Sequence, residues 1–187
     1  DPSPSLRSLG EVGEGRVFGL GASLVAALGA SVPGLRPHPS LVGPGGSVPG
    51  TGGELWVWLR GEDAGVLFHQ GLALEAELSP AFVLDEAVDT FVHRDSRDLS
   101  GYVDGTENPK GEAAEAAAFV RGAGEGLDAS SFVAVERWVH DLPTFDALDP
   151  QTQDYTIGRT REEDIELTDA PPSAHVKRAA QESFEPE

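Results

Sequence analysis

An α+β fold, an antiparallel sheet covered by helices on one side, is what this chain predicts. Three observations carry it. Aromatic and β-branched segments at 54–60 and 131–140 read as strands. Helical patterns fall between and after them, at 63–78, 112–120 and 141–157. The connections are too short and irregular for a parallel doubly wound sheet, and neither a glycine-rich phosphate fingerprint nor an internal repeat is present.

The elements follow in order. Residues 4–14 predict a short helix running into glycines, Arg16 to Leu20 a buried strand, and Ala22 to Leu28 a small helix. Residues 31–53 are rich in proline and glycine and predict a long loop. Glu54 to Arg60 is an aromatic strand bounded by Gly53 and Gly61. Asp63 can cap a helix to Leu78 whose Val66, Leu67, Phe68, Leu72, Leu74 and Leu78 form a broad apolar face. Ala81 to His93 reads as extended, and a charged run at 94–98 follows. Glu112 to Val120 is helix-prone and Ser131 to His140 is a second strong strand. Asp141 and Pro143 start a helix through Leu148, and Asp149 or Pro150 opens another through Ile157, closed by Gly158. Residues 161–172 are acidic and irregular, and a new element begins at Ser173.

Composition narrows the function classes. The 187 residues fit one domain of ordinary size or slightly more, and 39% hydrophobic content is enough for a core. The net charge of −19, from 32 acids against 13 bases, disfavours nucleic acid and anionic membranes, which need clustered cations. No apolar run is long enough to span a bilayer and no signal peptide is visible, so the expectation is a cytoplasmic chain. Zero cysteine excludes disulfides, thiolate metal sites and cysteine nucleophiles, leaving His, Asp and Glu as the strong metal ligands. Zero methionine marks a processed chain or a fragment.

The most informative segment is Gly101-Tyr102-Val103-Asp104-Gly105-Thr106-Glu107-Asn108-Pro109. Glycines allow backbone angles and close approach that other residues do not, and Asn-Pro marks a turn. Asp104 is therefore held on a tight loop, either as a carboxylate presented for chemistry or as the cap of an Asx-type turn. Asp104, Thr106 and Asn108 imitate the start of a calcium loop, but Pro109 stands where that loop needs glycine. No Gly-x-Ser-x-Gly elbow supports a serine triad. Of five histidines, His38, His69, His93 and His140 lack a partner at metal-binding spacing. His175 follows the small residues Ser173 and Ala174, which let a large group approach the imidazole, as a haem axial ligand requires.

Three further segments complete a pattern: Arg97-Asp98-Leu99-Ser100 leading into the Asp104 loop, Arg137-Trp138-Val139-His140, and Ile157-Gly158-Arg159-Thr160, with Ser-Ala-His175 behind them. In this ordered series the chain resembles the dye-decolourising (DyP-type) haem peroxidases, most closely their B-type bacterial branch. The resemblance is dense over 93–178 and continuous but thinner before that. It implies two ferredoxin-like α+β halves, with residues 1–95 forming most of the N-terminal half. Residues 96–187 would hold the linker with the Gly-x-x-Asp-Gly loop and the start of the haem-binding half.

The same resemblance implies haem b as cofactor, with His175 as proximal iron ligand and Arg159 beside a propionate, and Gly105 and Thr106 close to the porphyrin. Asp104 would lie over the face where hydrogen peroxide binds, moving a proton between its two oxygens. Dyes, phenols or metal ions would be the one-electron reductants. Homo-oligomers and encapsulin cargo are the expected assemblies, and neither nucleic acid nor membrane is an expected partner. The chain departs from the family pattern at its ends. Only residues 176–187 follow His175, and the family's second distal residue, an arginine further on, has no counterpart. That departure leaves open a haem-binding or haem-carrying protein with little turnover, and suggests truncation at both ends.

Overall fold

The computed structural model describes residues 2–9, 15–44 and 46–180. The chain divides into two compact units, 1–88 and 89–187. Both are built from short helices and small antiparallel pairings, an α+β architecture.

The first unit is organised by one antiparallel strand pair. β1 (Arg16–Leu20) lies against β4 (Leu55–Leu59), with Phe18 opposite Val57. Between them come α2 (Ala22–Ala27) and the loop expected over 31–53, which in fact folds back on itself as a small hairpin of β2 (Leu41–Gly43) and β3 (Gly46–Val48). Every described side chain of that hairpin is exposed, so no hydrophobic pattern announces it in the sequence. α1 (Ser3–Ser8) covers the start of the 4–14 expectation; residues 10–14 lie outside the described residues.

α3 (Ala64–Leu78) is capped by Asp63, whose side chain accepts from the Val66 N–H at 2.9 Å. Leu74 and Leu78 join Leu9 in a buried cluster, and Leu6, Phe18, Leu55, Val57, Leu59 and Phe82 pack against it. The broad apolar face expected for α3 is thus only partly used: Val66, Phe68 and Leu72 remain exposed.

The second unit carries α4 (Glu112–Ala118), α5 (Leu142–Asp146), α6 (Pro150–Ile157) and α7 (His175–Ala179). Asp141 and Asp149 cap α5 and α6 as their positions predict, accepting from the N–H groups of Thr144 and Thr152. α5 stops at Asp146, two residues before the expected end. Gly158 closes α6 with φ +95°, the left-handed turn that glycine adopts without strain.

The strands expected at 81–93 and 131–140 are not formed. Neither segment joins a ladder among the described residues, and Val83, Phe91, Phe132, Val135, Trp138 and Val139 are all exposed. The physical reason is that a strand exists only by hydrogen bonding to a neighbour; propensity supplies the candidate, not the partner. Among the described residues no helix is long and apolar enough to cross a membrane.

Candidate functional site

The Asp104 loop begins as a tight hairpin. Arg97 and Val103 form an antiparallel bridge, the Asp98 N–H donates to the Tyr102 carbonyl at 3.0 Å, and the Gly101 N–H to the Asp98 carbonyl at 3.1 Å. The turn is stabilised by Asp98, whose carboxylate accepts from both the Ser100 N–H, at 2.7 Å, and the Ser100 hydroxyl. The Asx-type turn that is one reading of Asp104 is made by its neighbour in the hairpin, Asp98. The Asp104 side chain is exposed and has no hydrogen-bond or ion-pair partner among the described residues, while its N–H is fixed to the Ser96 carbonyl at 2.8 Å.

Gly105 follows at φ +73°, where a Cβ would lie 2.6 Å from Nδ2 of Asn108. Glycine is favoured here by its backbone angle, and a larger residue would also have to move the Asn108 amide aside. Asn108 in turn donates its N–H to the Gly105 carbonyl at 3.1 Å, closing the turn before Pro109.

Two side chains then tie this loop to the segment after α6. The Thr106 hydroxyl donates to Oδ2 of Asp164. Glu107 Oε1 accepts from Nη1 of Arg159 at 3.1 Å. Arg159 also donates Nε to Oδ1 of Asp164 at 2.7 Å and Nη2 to the Asp164 carbonyl at 2.7 Å. Its guanidinium is 13% exposed while Glu107 is 83% exposed, so the Glu107 arm is the solvent-facing and weaker one. Asp164 sits at φ +56°, an unusual angle for a non-glycine, held by an Arg159–Glu166 bridge on either side of the turn.

α7 joins the same assembly. Ala174, fully buried, and Val176 press against Gly158, where any Cβ would overlap the Val176 side chain. Lys177 Nζ pairs with Glu166 Oε1 at 2.6 Å, and Glu166 reaches toward Arg159 at 3.9 Å. The Lys177 hydrogen bond, reinforced by its charge, holds the Glu166 carboxyl below its ordinary value. Between the two anchors Ala174 and Val176, the His175 imidazole is exposed and has no partner among the described residues.

Beneath the loop lies a buried polar knot that sequence reasoning missed. Tyr102 is 4% exposed and donates its hydroxyl to Asp154 Oδ1 at 2.6 Å. Burial first, and this hydrogen bond second, push the Tyr102 phenol well above its ordinary value of 10.0. Arg161 covers the ring at 4.9 Å and donates Nη2 to Gln153 Oε1 at 2.7 Å. Arg97 completes the knot, donating Nη1 to the carbonyls of Gly101 and Arg161.

Of the expected site residues, then, Gly105, Thr106, Arg159 and His175 lie on segments that one continuous set of contacts joins to the Asp104 loop. Asp104 and His175 both have side chains without a hydrogen-bond or ion-pair partner among the described residues. A hollow of about 290 Å³ opens between Pro150, Gln153, Asp154, Thr160, Arg161 and Glu162, and contains neither. Asp154, Asp164, Glu166 and Lys177 carried no motif signal; the one available hint was the acidic run that follows Arg159 and Arg161 in sequence.

Comparison with known proteins identifies the relatives of this chain. The family described as "Dyp-type peroxidase, C-terminal" matches residues 95–186. The dye-decolorizing peroxidase of Mycobacterium tuberculosis is 35% identical over 144 residues, 76% of this chain and 43% of that protein; the one from Rhodococcus erythropolis is 33% identical over 144 residues, 76% of this chain and 42% of that protein. The chain therefore spans less than half the length of these relatives. Among solved structures, DyPB from Rhodococcus jostii superposes with a TM-score of 0.73 at 30% identity, covering 87% of this chain and 53% of that one. A variant of the same Rhodococcus protein, solved in complex with heme, gives 0.74 at 28% identity, covering 92% and 59%. The encapsulated DyP-type peroxidase from Mycobacterium smegmatis gives 0.72 at 29% identity, covering 87% and 54%. On these likenesses the chain belongs to the DyP-type, or dye-decolorizing, peroxidase family.

Proposed function

We propose that the protein to which this sequence belongs is a haem peroxidase that reduces hydrogen peroxide and oxidises dyes, phenols or metal ions in one-electron steps. The observation that carries the reading is the division of labour between two acids six residues apart. Asp98 does the turn's structural work, and Asp104 is left with a free carboxylate on a loop pinned at both ends. The loop backbone around Asp104 is fixed, while its carboxylate stays open to solvent and to any group that docks against the loop.

The residues present suit a haem. A single histidine with no competing partner is an appropriate axial donor, and it stands on a helix locked to Gly158. Haem b, when bound, supplies the redox centre for peroxide cleavage and for single-electron withdrawal from reductants. His175 would hold its iron. Asp104 would take the proton from one peroxide oxygen and return it to the departing one, so that water leaves rather than hydroxide. Arg159 would meet a propionate with the Nη1 arm that it now shares with exposed Glu107, keeping its two bonds to Asp164. Gly105 and Thr106 would keep the loop thin and fixed beside the ring.

The reductant would be a small electron donor and the assembly a cytoplasmic homo-oligomer; carriage as encapsulin cargo is supported by the Mycobacterium smegmatis relative being an encapsulated peroxidase. Haem titration of the complete protein tests the central assignment. A Soret band that shifts on adding peroxide, and is lost in His175→Ala, is expected; equal haem binding by His175→Ala would remove the axial role.

A further inference from the structure

Asp164 occupies a position that the catalytic reading does not use. It lies on the acidic turn after α6, 58 residues from Thr106, yet one carboxylate oxygen takes the Thr106 hydroxyl and the other takes Nε of Arg159. Its carbonyl receives one more donor, Nη2 at 2.7 Å, and shares the same Nε–H at 3.1 Å. The turn is held in shape by the Ile165 N–H donating to the Thr160 hydroxyl at 3.1 Å and the Thr160 N–H donating to the Ile165 carbonyl at 2.9 Å. Such a carboxylate is anchored from its own side before the loop arrives.

We propose that Asp164 is a positioning residue for Asp104: it seizes the loop by Thr106, two residues beyond the acid, and fixes it on the segment that leads to His175. The argument is one of stiffness. Up to Val103 the segment is held by the Arg97–Val103 bridge and the buried Tyr102, but beyond Asp104 the positive-φ Gly105 leaves the backbone free to pivot. The Ser96 carbonyl restrains the near side of Asp104, through its N–H. On the far side the side-chain ties are Thr106 to Asp164 and the exposed Glu107 to Arg159, and the former is a charge-assisted bond to a partly buried acid. Losing it lets the carboxylate swing while leaving its chemistry intact, and a displacement of about 1 Å in a catalytic group costs on the order of a hundredfold in rate. Arg159 is held by the same carboxylate, so one residue sets both the loop and the cation beside it.

The proposal rests on the peroxidase reading for its chemical consequence, but its structural part is measurable without cofactor. Amide hydrogen exchange of the full chain should quicken by about tenfold across residues 104–108 in Thr106→Val, as expected for loss of one charge-assisted bond. Thr106→Ser should restore it, and Asp164→Asn should loosen the same stretch. In haem-loaded complete protein compared at matched haem occupancy, Thr106→Val should slow the peroxide step. In Asp104→Asn the same Thr106→Val change should have little further effect, because a misplaced acid cannot be lost twice. Unchanged exchange in Thr106→Val, or losses that add in full with Asp104→Asn, would overturn the positioning role. Asp104→Asn alone leaving the peroxide step unchanged would instead remove Asp104 from the mechanism, and absence of any peroxide step in the wild type would sink the peroxidase reading, with the exchange result standing in both cases.

Discussion

The two units are held by different physics. In the first, Leu9, Leu74 and Leu78 form an apolar cluster against a two-stranded sheet, with Phe18, Val57 and Phe82 around it. In the second, the buried hydrophobic residues are Tyr102 and Ala174 among the described ones, and the folded loops are joined by hydrogen-bonded ions: Arg97, Arg159, Arg161 and Lys177 against carbonyls and carboxylates. Apolar packing is non-directional and tolerates small adjustments. Directional charge-assisted bonds fix loops in one geometry and so suit the unit that presents Asp104 and His175.

Substitutions break this contrast in a graded way. Leu74→Ala should remove about 2–4 kcal/mol from the first unit by opening a cavity, read as a lowered urea midpoint, while the exchange pattern of residues 96–108 stays as it was. Gly158→Ala should cost the second unit about 2 kcal/mol, since alanine is strained at this φ and its Cβ pushes Val176, and with it α7, away; differential scanning calorimetry checks it. Tyr102→Phe keeps the ring stacking but leaves Asp154 with one donor fewer, an expected loss of about 1 kcal/mol.

The pH profile sharpens the comparison. Tyr102's raised value means that the folded state keeps a proton the unfolded chain releases, so this contribution is full below the ordinary value of 10.0 and is lost as pH rises through the folded value. Glu166 and Asp95 are shifted down, by hydrogen bonds to Lys177 and Arg97 respectively, so their contributions are present above the ordinary 4.5 and 3.8 and vanish as pH falls. The second unit should therefore lose stability at both ends of the scale, and the first should show less change, by circular dichroism of single-unit mutants. The smallest effect is that of Glu107→Gln: an ion pair whose acid is 83% exposed is worth less than about 0.5 kcal/mol and should fade in added salt.

Local signals were legible in the sequence. Asp63, Asp141 and Asp149 cap the helices that their positions announce, and Gly158 terminates α6 in the left-handed conformation. The Asp104 loop was legible as a tight, glycine-bounded turn. Which acid would make the turn was not, because Asp98 and Asp104 each offer a short carboxylate within three residues of a glycine. The strands at 81–93 and 131–140 show the limit from the other side: alternating Phe, Val and Trp state a preference for pairing but cannot supply the neighbour. The Thr106–Asp164 and Glu107–Arg159 ties span 58 and 52 residues, separations at which sequence carries no pairing signal.

The account depends on the Asp104 carboxylate being free for proton transfer rather than built into the loop. Stopped-flow mixing of haem-loaded complete protein with hydrogen peroxide, wild type against Asp104→Asn at matched haem occupancy, measures this directly. A fall of roughly 10²- to 10⁴-fold in the rate of the peroxide step, with thermal stability unaltered, is the expected result. An unchanged rate, or a slower rate accompanied by loss of stability, would contradict it.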